Sequence, residues 1–253
     1  MHRALLLLLA LALPALVLPA SVPPALAATP EELPRLPAPI GTARLVKPVG
    51  VADPPLVIML PDALGEDGRS ETYVGSLLAR GIASLVLGLD EDLDANPAPV
   101  DPAASPAAVP VALAWARASG FMPEATGVLG FGLGGRAALA GAGGLPTVAL
   151  YPGCAALPEP SGPALVLQGG DAAASCGDIV ASAGMALRLI PGAGHAWDAP
   201  GAIWPSPGPV LPDPAGGGLL RSRTDHDVTL QAAEAVADWF EATLLAGARR
   251  AAR

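Results

Sequence analysis

The stretch that most constrains the fold lies at mid-chain, in residues 126–140, TGVLGFGLGGRAALA. Its first half is rich in apolar residues, as is typical of a buried strand, and its alanine-rich end is typical of a helix. Between the two halves stand Gly130, Gly132, Gly134 and Gly135. Glycines permit a tight bend and a close approach between backbones. The sequence therefore predicts a strand that turns sharply into a helix.

Two motifs fit this bend. The nucleophile elbow, G-x-S-x-G, matches Gly130 and Gly134 as its outer glycines, but it needs a nucleophilic side chain where this chain has Gly132. The dinucleotide fingerprint, G-x-G-x-x-G, is also satisfied, by Gly130, Gly132 and Gly135. A dinucleotide site places an acidic residue about 20 positions further on to bind the ribose. Residues 151–153 (YPG) stand there instead, so dinucleotide binding is the weaker alternative.

The N-terminal residues are typical of an export signal. An apolar run over residues 4–18 precedes the small-x-small sequence Ala25-Leu26-Ala27. This pattern predicts a signal peptide over residues 1–27 and a periplasmic or secreted protein. Residues 28–41 carry four prolines without periodicity, which predicts an extended leader or tether. No later stretch is long and apolar enough to predict a membrane span.

The charge balance bears on partners. The chain has a formal net charge of −9 and no cluster of lysine and arginine. This composition argues against nucleic acid and anionic membrane surfaces as partners. It does not argue for or against a small-molecule ligand.

Short apolar runs alternate with helical spacing along the chain. Strands are predicted at 42–47, 56–60, 83–89, 147–151, 164–168 and 186–190, in addition to the strand of the bend. Helices are predicted at 70–80, 111–119, 172–183 and 228–246, and long proline-rich loops at 90–110 and 197–227. This alternation predicts a three-layer α/β fold, with a mostly parallel sheet covered by helices on both faces.

Two loops that follow predicted strands carry candidate catalytic side chains. Residues 168–171 (QGGD) present Asp171, and residues 191–197 (PGAGHAW) present His195. The order of elbow, acid and histidine is the order of the triad in α/β-hydrolases. In such a triad the histidine accepts the proton of the nucleophile, and the carboxylate orients the histidine. We therefore expect Asp171 and His195 to converge on Gly132.

At this point the chain resembles the dienelactone hydrolase family of the α/β-hydrolases. The matching pieces are GFGLGG at 130–135, YPG at 151–153, GD at 170–171, PGAGHAW at 191–197 and, on the oxyanion side, LPDALG at 60–65. The resemblance implies one α/β-hydrolase domain over 42–250 that cleaves esters or lactones without a cofactor. It also implies that the N–H of Leu133, and that of Ala63 or Leu64, would bind the oxyanion.

The chain departs from the family at the elbow, because Gly132 offers no hydroxyl or thiol. Removing a triad nucleophile costs about a millionfold in rate, so we expect little or no hydrolysis. Asp171 and His195 could still deprotonate a water, and Gly132→Ser or Gly132→Cys is expected to lower the melting temperature and create esterase activity. The alternative is a non-catalytic protein that binds a partner or a small molecule such as an ester-like or lactone-like ligand. In that case Trp197 would line an apolar pocket beside Phe131 and Trp204.

The resemblance also bears on the two cysteines. Cys154 and Cys176 follow strands that are neighbours in the sheet of the family, and a disulfide persists in an exported protein. A disulfide is predicted, with a free Cys154 nucleophile as the alternative. Residues 225–227 (DHD) cannot all face one metal ion, so they are interpreted as the start of the last helix, with Asp227 as its cap. No metal site is predicted.

Overall fold

In the computed structural model, the protein is described over residues 28–88, 102–170, 176, 185–200 and 208–251, with side chains up to residue 245. The predicted signal peptide, Asp171, Trp204 and all of the predicted helix at 172–183 except Cys176 lie outside these residues.

The predicted leader packs on the domain. Strand β1 (Arg35–Leu36) pairs antiparallel with β2 (Gly41–Thr42). Leu36 and Ile40 are buried in the core, and the N–H of Leu45 donates to the carbonyl of Glu32 at 2.8 Å. The expectation of an extended tether is therefore wrong for this segment, because its two apolar side chains gain burial against the sheet.

A seven-stranded sheet forms the centre of the molecule. Its strands are β3 (Arg44–Val46), β4 (Leu56–Leu60), β5 (Ala83–Val86), β6 (Thr126–Phe131), β7 (Thr147–Leu150), β8 (Ala164–Gly169) and β9 (Ala186–Ile190). They lie in the order β3-β5-β4-β6-β7-β8-β9. The edge strand β3 is antiparallel to β5, and all other neighbours are parallel. Strands β4, β6 and β8 are buried along their whole length, which explains their continuous apolar sequences.

Helices cover both faces of the sheet. They are α1 (Glu71–Ala79), α2 (Ala108–Ala118), α3 (Gly132–Gly141) and α4 (His226–Ala251). Successive residues of a strand point to opposite faces, so Leu129 packs with the α1 and α4 side of the core and Val128 with the α2 and α3 side. The predicted three-layer architecture is confirmed. Within the described ranges, no helix is long and apolar enough to cross a membrane.

Two predicted loops contain regular structure. In the first, Pro102–Ala104 forms a 3₁₀ turn and α2 begins at Ala108, with Pro110 in the first turn, where a missing N–H costs no helical bond. In the second, β10 (Val210–Pro212) pairs antiparallel with β11 (Leu219–Arg221). Each of these strands has only 3 residues, too few to show the alternation that predicts a strand.

The start of α4 also differs from the prediction. The helix begins at His226, and Asp225 Oδ1 accepts a hydrogen bond from the N–H of Val228 at 3.1 Å. Asp225 therefore caps the helix, and the prediction that Asp227 does so is wrong.

Candidate functional site

The predicted bend lies where β6 ends and α3 begins, at Gly132, whose φ is +49°. The end of β4 passes directly behind it. A Cβ added at Gly134 would lie 2.0 Å from the carbonyl oxygen of Pro61. Gly134 is therefore required by the close approach between this backbone and the loop that follows β4.

The carboxylate of Asp62, the residue after Pro61, fills the space beside Gly132. A Cβ added at Gly132 would lie 2.2 Å from Asp62 Oδ1 and 2.6 Å from its Cγ. Asp62 is completely buried. Its side chain therefore occupies the volume that any side chain at position 132 would need.

The same carboxylate binds two of the N–H groups predicted to hold an oxyanion. Asp62 Oδ1 accepts hydrogen bonds from the N–H of Ala63 at 2.8 Å and from the N–H of Leu133 at 3.1 Å. The third predicted donor is on Leu64, whose side chain is exposed. An anion is thus already bound at the start of α3, and it belongs to the chain itself.

Arg69 neutralises this buried anion. Its Nη1 donates to Asp62 Oδ2 at 3.0 Å, and both side chains are almost wholly buried. The guanidinium also pairs with Asp67, at 2.8 Å and 2.6 Å. The pKa of Arg69 is raised above its usual value, because nearby acidic groups outweigh the opposing effect of burial.

The network continues beneath the bend through two tyrosines. Arg69 Nη1 donates to the hydroxyl of Tyr151 at 3.1 Å. The hydroxyls of Tyr151 and Tyr73 donate to the two oxygens of Asp198 at 2.5 Å and 2.7 Å. Burial raises the pKa of Asp198 to about 6, against the lowering effect of Arg69 and the two hydroxyls. Burial likewise raises the pKa of each tyrosine well above its usual value, so both hydroxyls stay protonated.

No local sequence pattern predicts this network. Asp62 does stand in the quoted loop LPDALG, immediately after a buried strand, and Asp198 stands next to the quoted motif that ends at Trp197. The positions of Asp62 after a strand and of Asp198 beside the histidine motif are the only local signals for them. Arg69, Tyr73 and Tyr151 join them only through contacts between distant parts of the chain.

Trp197 belongs to the core. Its ring is fully buried and packs edge-on against Tyr151, and its Nε1 donates to the hydroxyl of Tyr73 at 3.2 Å. Phe131 is also a core residue, in contact with the ring of Tyr73. The prediction that Trp197 lines a ligand pocket is therefore wrong.

His195 lies in the loop after β9, as predicted. Its ring packs edge-on against Tyr151, with ring centroids 5.2 Å apart. Its Nε2 is buried and makes no hydrogen bond with any group that the structure describes. Burial lowers the pKa of His195, while the negative charge of Asp62 raises it. Since Asp171 lies outside the described residues, its pairing with His195 stays a prediction.

The predicted disulfide is confirmed. Cys154 and Cys176 are bonded, with their Cα atoms 5.1 Å apart. Cys154 is therefore not a free thiol, and the alternative of a Cys154 nucleophile is wrong.

A cavity of about 490 Å³ lies beside Tyr151 and His195, which both line it. It is bounded by the end of β8, the loops at 153–155 and 193–195, and the β10–β11 hairpin. Gln168, at the end of β8, lines it and is only 7% exposed. The Oε1 of Gln168 has no hydrogen-bond partner among the described groups.

No family model and no curated protein matches this sequence. Solved structures do match. A protein described provisionally as a dienelactone hydrolase, from Klebsiella pneumoniae, is 17% identical, with 85% of this chain and 98% of that chain covered and a TM-score of 0.59. Carboxyl esterase 2 from Tuber melanosporum is 14% identical, with 87% and 89% covered and a TM-score of 0.57. A thermostable esterase from Pseudomonas putida is 13% identical, with 87% and 84% covered and a TM-score of 0.55.

These similarities agree with the sheet order and the two helical layers described above. At such low identity they carry the architecture and not the activity. The chain has the α/β-hydrolase fold.

Proposed function

We propose that this chain is an exported protein of the dienelactone hydrolase type that does not hydrolyse esters or lactones and instead binds a small molecule. The observation that carries the proposal is the position of Asp62. Its carboxylate lies where a side chain at position 132 would be and binds the N–H groups of Ala63 and Leu133. We interpret this as a hydrolase site that the chain itself has filled.

The first consequence concerns the nucleophile. Gly132 supplies no attacking atom, and Asp62 is a poor replacement. Its two oxygens accept hydrogen bonds from two N–H groups and from Arg69, and the residue is completely buried. Its lone pairs are engaged as hydrogen-bond acceptors, which lowers its reactivity as a nucleophile.

The second consequence concerns the oxyanion. In ester hydrolysis, negative charge develops on the carbonyl oxygen, and N–H groups aimed at that oxygen stabilise it. Loss of one such donor costs on the order of 10²–10³ in rate. Here both donors are engaged, and the negative charge of Asp62 would repel the oxyanion. Attack by a water activated by His195 would meet the same obstacle.

The dinucleotide alternative loses support for the same reason. A pyrophosphate would sit at the first turn of α3, where helix N–H groups favour an anion. Asp62 already holds the N–H of Leu133 there. A second anion at this place would be repelled by the first.

Export and ligand binding have separate support. The sequence pattern of residues 1–27 and the disulfide between Cys154 and Cys176 both favour an oxidising compartment outside the cytoplasm. The cavity beside His195 has a volume within the range of ligand pockets, about 300–1,000 Å³.

The test is a panel of p-nitrophenyl esters and small lactones with the purified protein. We expect no turnover that depends on His195. Sequence reasoning expects Gly132→Ser to create activity alone, but Asp62 would collide with the new side chain. We therefore expect turnover only from Asp62→Ala/Gly132→Ser, and its loss when His195→Ala is added.

The matched control is Asp62→Ala alone, which frees the two N–H groups without supplying a nucleophile and is expected to stay inactive. Ester hydrolysis by the unaltered protein that His195→Ala abolishes would overturn the proposal.

A further inference from the structure

Building on the proposed function, we infer that the cavity beside His195 binds neutral molecules that have an apolar body and one hydroxyl group, whose hydrogen bond is accepted by Gln168. The inference names the ligand class of that binding activity. It depends on three features of the cavity: a buried polar atom, apolar walls and rigid boundaries.

The buried polar atom is Gln168 Oε1. Buried carbonyl oxygens in native proteins nearly always accept a hydrogen bond, and exceptions call for an explanation. Gln168 is 7% exposed and lines the cavity, and no described group donates to its Oε1. A ligand hydroxyl would supply the missing donor. An ether or a hydrocarbon of the same shape would not.

The walls set the body of the ligand. The residues that line the cavity include Tyr151, Pro214, Ala215, Leu220 and the disulfide-bonded Cys154. The hydroxyl of Tyr151 is engaged by Arg69 and Asp198, so it offers no free hydrogen bond to a ligand. Such walls favour an aromatic or aliphatic body.

The charges favour a neutral ligand. Asp213 and Arg223 line the cavity from the hairpin side, and their charges are opposite. The Nε2 of His195 has no partner in the described part of the chain, and burial lowers the pKa of this imidazole, which favours its neutral form. A net charge on the ligand would therefore be desolvated without a matching counter-charge at the β8 end of the cavity.

The boundaries are held in place before a ligand arrives. Arg136 donates to the carbonyl oxygens of Pro152, Ala155 and Ala156, which fixes the loop that carries Cys154. The hairpin meets this loop at Gly153, where an added Cβ would lie 2.7 Å from the Cβ of Ala215. A preformed site loses less entropy when it binds.

The cavity is also separate from the filled bend. Gly132, Leu133 and Asp62 are not among its described lining residues. A ligand can therefore occupy the cavity while Asp62 stays in place.

The experiment compares two probes by isothermal titration calorimetry with the purified protein. 2-Naphthol has a hydroxyl donor, and 2-methoxynaphthalene has the same rings without one. We expect 2-naphthol to bind at least tenfold more tightly, and Gln168→Met, which keeps the size of the side chain and removes the acceptor, to abolish the difference. Equal affinities in the unaltered protein, or no binding of either probe, would overturn the inference.

A second pair of variants locates the binding. Leu220 lines the cavity and is 37% exposed, whereas its neighbour Leu219 is 71% exposed and is not among the described lining residues. We expect Leu220→Trp to fill the cavity and weaken 2-naphthol at least tenfold, and Leu219→Trp to leave the affinity unchanged. Binding that is unaffected by Leu220→Trp would place the probe elsewhere and overturn the inference.

The two proposals fail separately. Ester hydrolysis by the unaltered protein would overturn the proposed function even if 2-naphthol binds as expected. Absence of 2-naphthol binding in an inactive protein would overturn only the ligand class.

Discussion

Two regions at the same edge of the sheet differ in how their polar groups are matched. At the bend, Asp62 is completely buried and is paired with two N–H groups and with Arg69. In the cavity, Gln168 Oε1 and His195 Nε2 are buried without partners in the described structure. The first region resembles a protein core in which the buried polar groups are satisfied, and the second resembles a ligand-binding site without its ligand. Matched polar groups stabilise the fold, whereas unmatched ones give a ligand something to bind.

The largest expected effect comes from removing the cation at the bend. Arg69→Met leaves the charge of Asp62 buried and unpaired, and breaking a buried ion pair costs about 3–5 kcal/mol. Urea unfolding at pH 7 measures the loss. The matched control is Arg80→Met, which breaks more exposed pairs with Glu234 and Asp238 and should cost about 1 kcal/mol or less. Equal losses would mean that the bend is no more tightly matched than the surface.

The next effect tests the space at Gly132. Gly132→Ala places a methyl group 2.2 Å from Asp62 Oδ1 at a positive φ, so overpacking and backbone strain together are expected to cost about 2–4 kcal/mol. At Gly68 the φ is also positive, +90°, but no described atom of another part of the chain lies within 4 Å of the Cβ that Gly68→Ala would add. This control should show the strain alone, about 1–2 kcal/mol.

A double-mutant cycle tests whether the effects of substitutions at Asp62 and Gly132 depend on each other. When Asp62→Gly is combined with Gly132→Ala, the collision disappears. The loss in unfolding free energy of the double variant should then be smaller than the sum of the losses of the two single variants, by about 1 kcal/mol or more. Simple additivity would show that the carboxylate does not occupy the space beside Gly132.

The stability of the protein is also expected to depend on pH. Because the pKa of Asp198 is raised from 3.8 to about 6 in the folded protein, the folded state holds this proton more tightly than the unfolded state. The resulting stability is fully present below about pH 4, and it is lost as the pH rises to about 6. The full loss is at most about 3 kcal/mol, at 1.36 kcal/mol per unit. The difference in unfolding free energy between the unaltered protein and Asp198→Asn should therefore shrink or reverse between pH 4 and pH 7, and a constant difference would contradict it.

The smallest expected effect is a gain in stability when a polar group of the cavity is removed, whereas removal of a polar group at the bend causes a loss. Gln168→Met removes a buried acceptor that no described group satisfies, so it should stabilise the ligand-free protein by about 1 kcal/mol. Gln168→Glu, which would bury a charge at the same place, should destabilise it. Thermal unfolding of both variants measures the two shifts. Destabilisation by Gln168→Met would mean that this amide is already matched.

The parts of the fold that could be predicted are those with local signals. Strands such as Leu56–Leu60 and Ala164–Gly169 are buried on both faces, so burial alone dictates their continuous apolar sequences. The hairpin of Val210–Pro212 and Leu219–Arg221 has no such signal, because its strands are short and mostly exposed. Leu36 and Ile40 were missed for a related reason, since two apolar residues among prolines form no period.

The candidate site likewise contains residues that a local sequence signal identifies and residues that no local signal identifies. His195 could be identified because a glycine-rich loop after a strand presents it, and the disulfide because the resemblance to the dienelactone hydrolase family implies that its cysteines follow neighbouring strands. The role of Asp62 could not be derived, although its loop was recognised. Its carboxylate can lie there because position 132 has no Cβ. No local pattern encodes its contact with the N–H of Leu133, which is 71 positions away along the chain.

The contact between Gly132 and Asp62 also restricts how this protein can evolve. A serine at position 132 that arises first meets a carboxylate, and a smaller residue at position 62 that arises first leaves Arg69 without its buried partner. Each single step is therefore expected to destabilise the fold, and only the two changes together reopen the site. Among homologues we expect the two positions to change together, with aspartate at 62 confined to sequences that have glycine at 132.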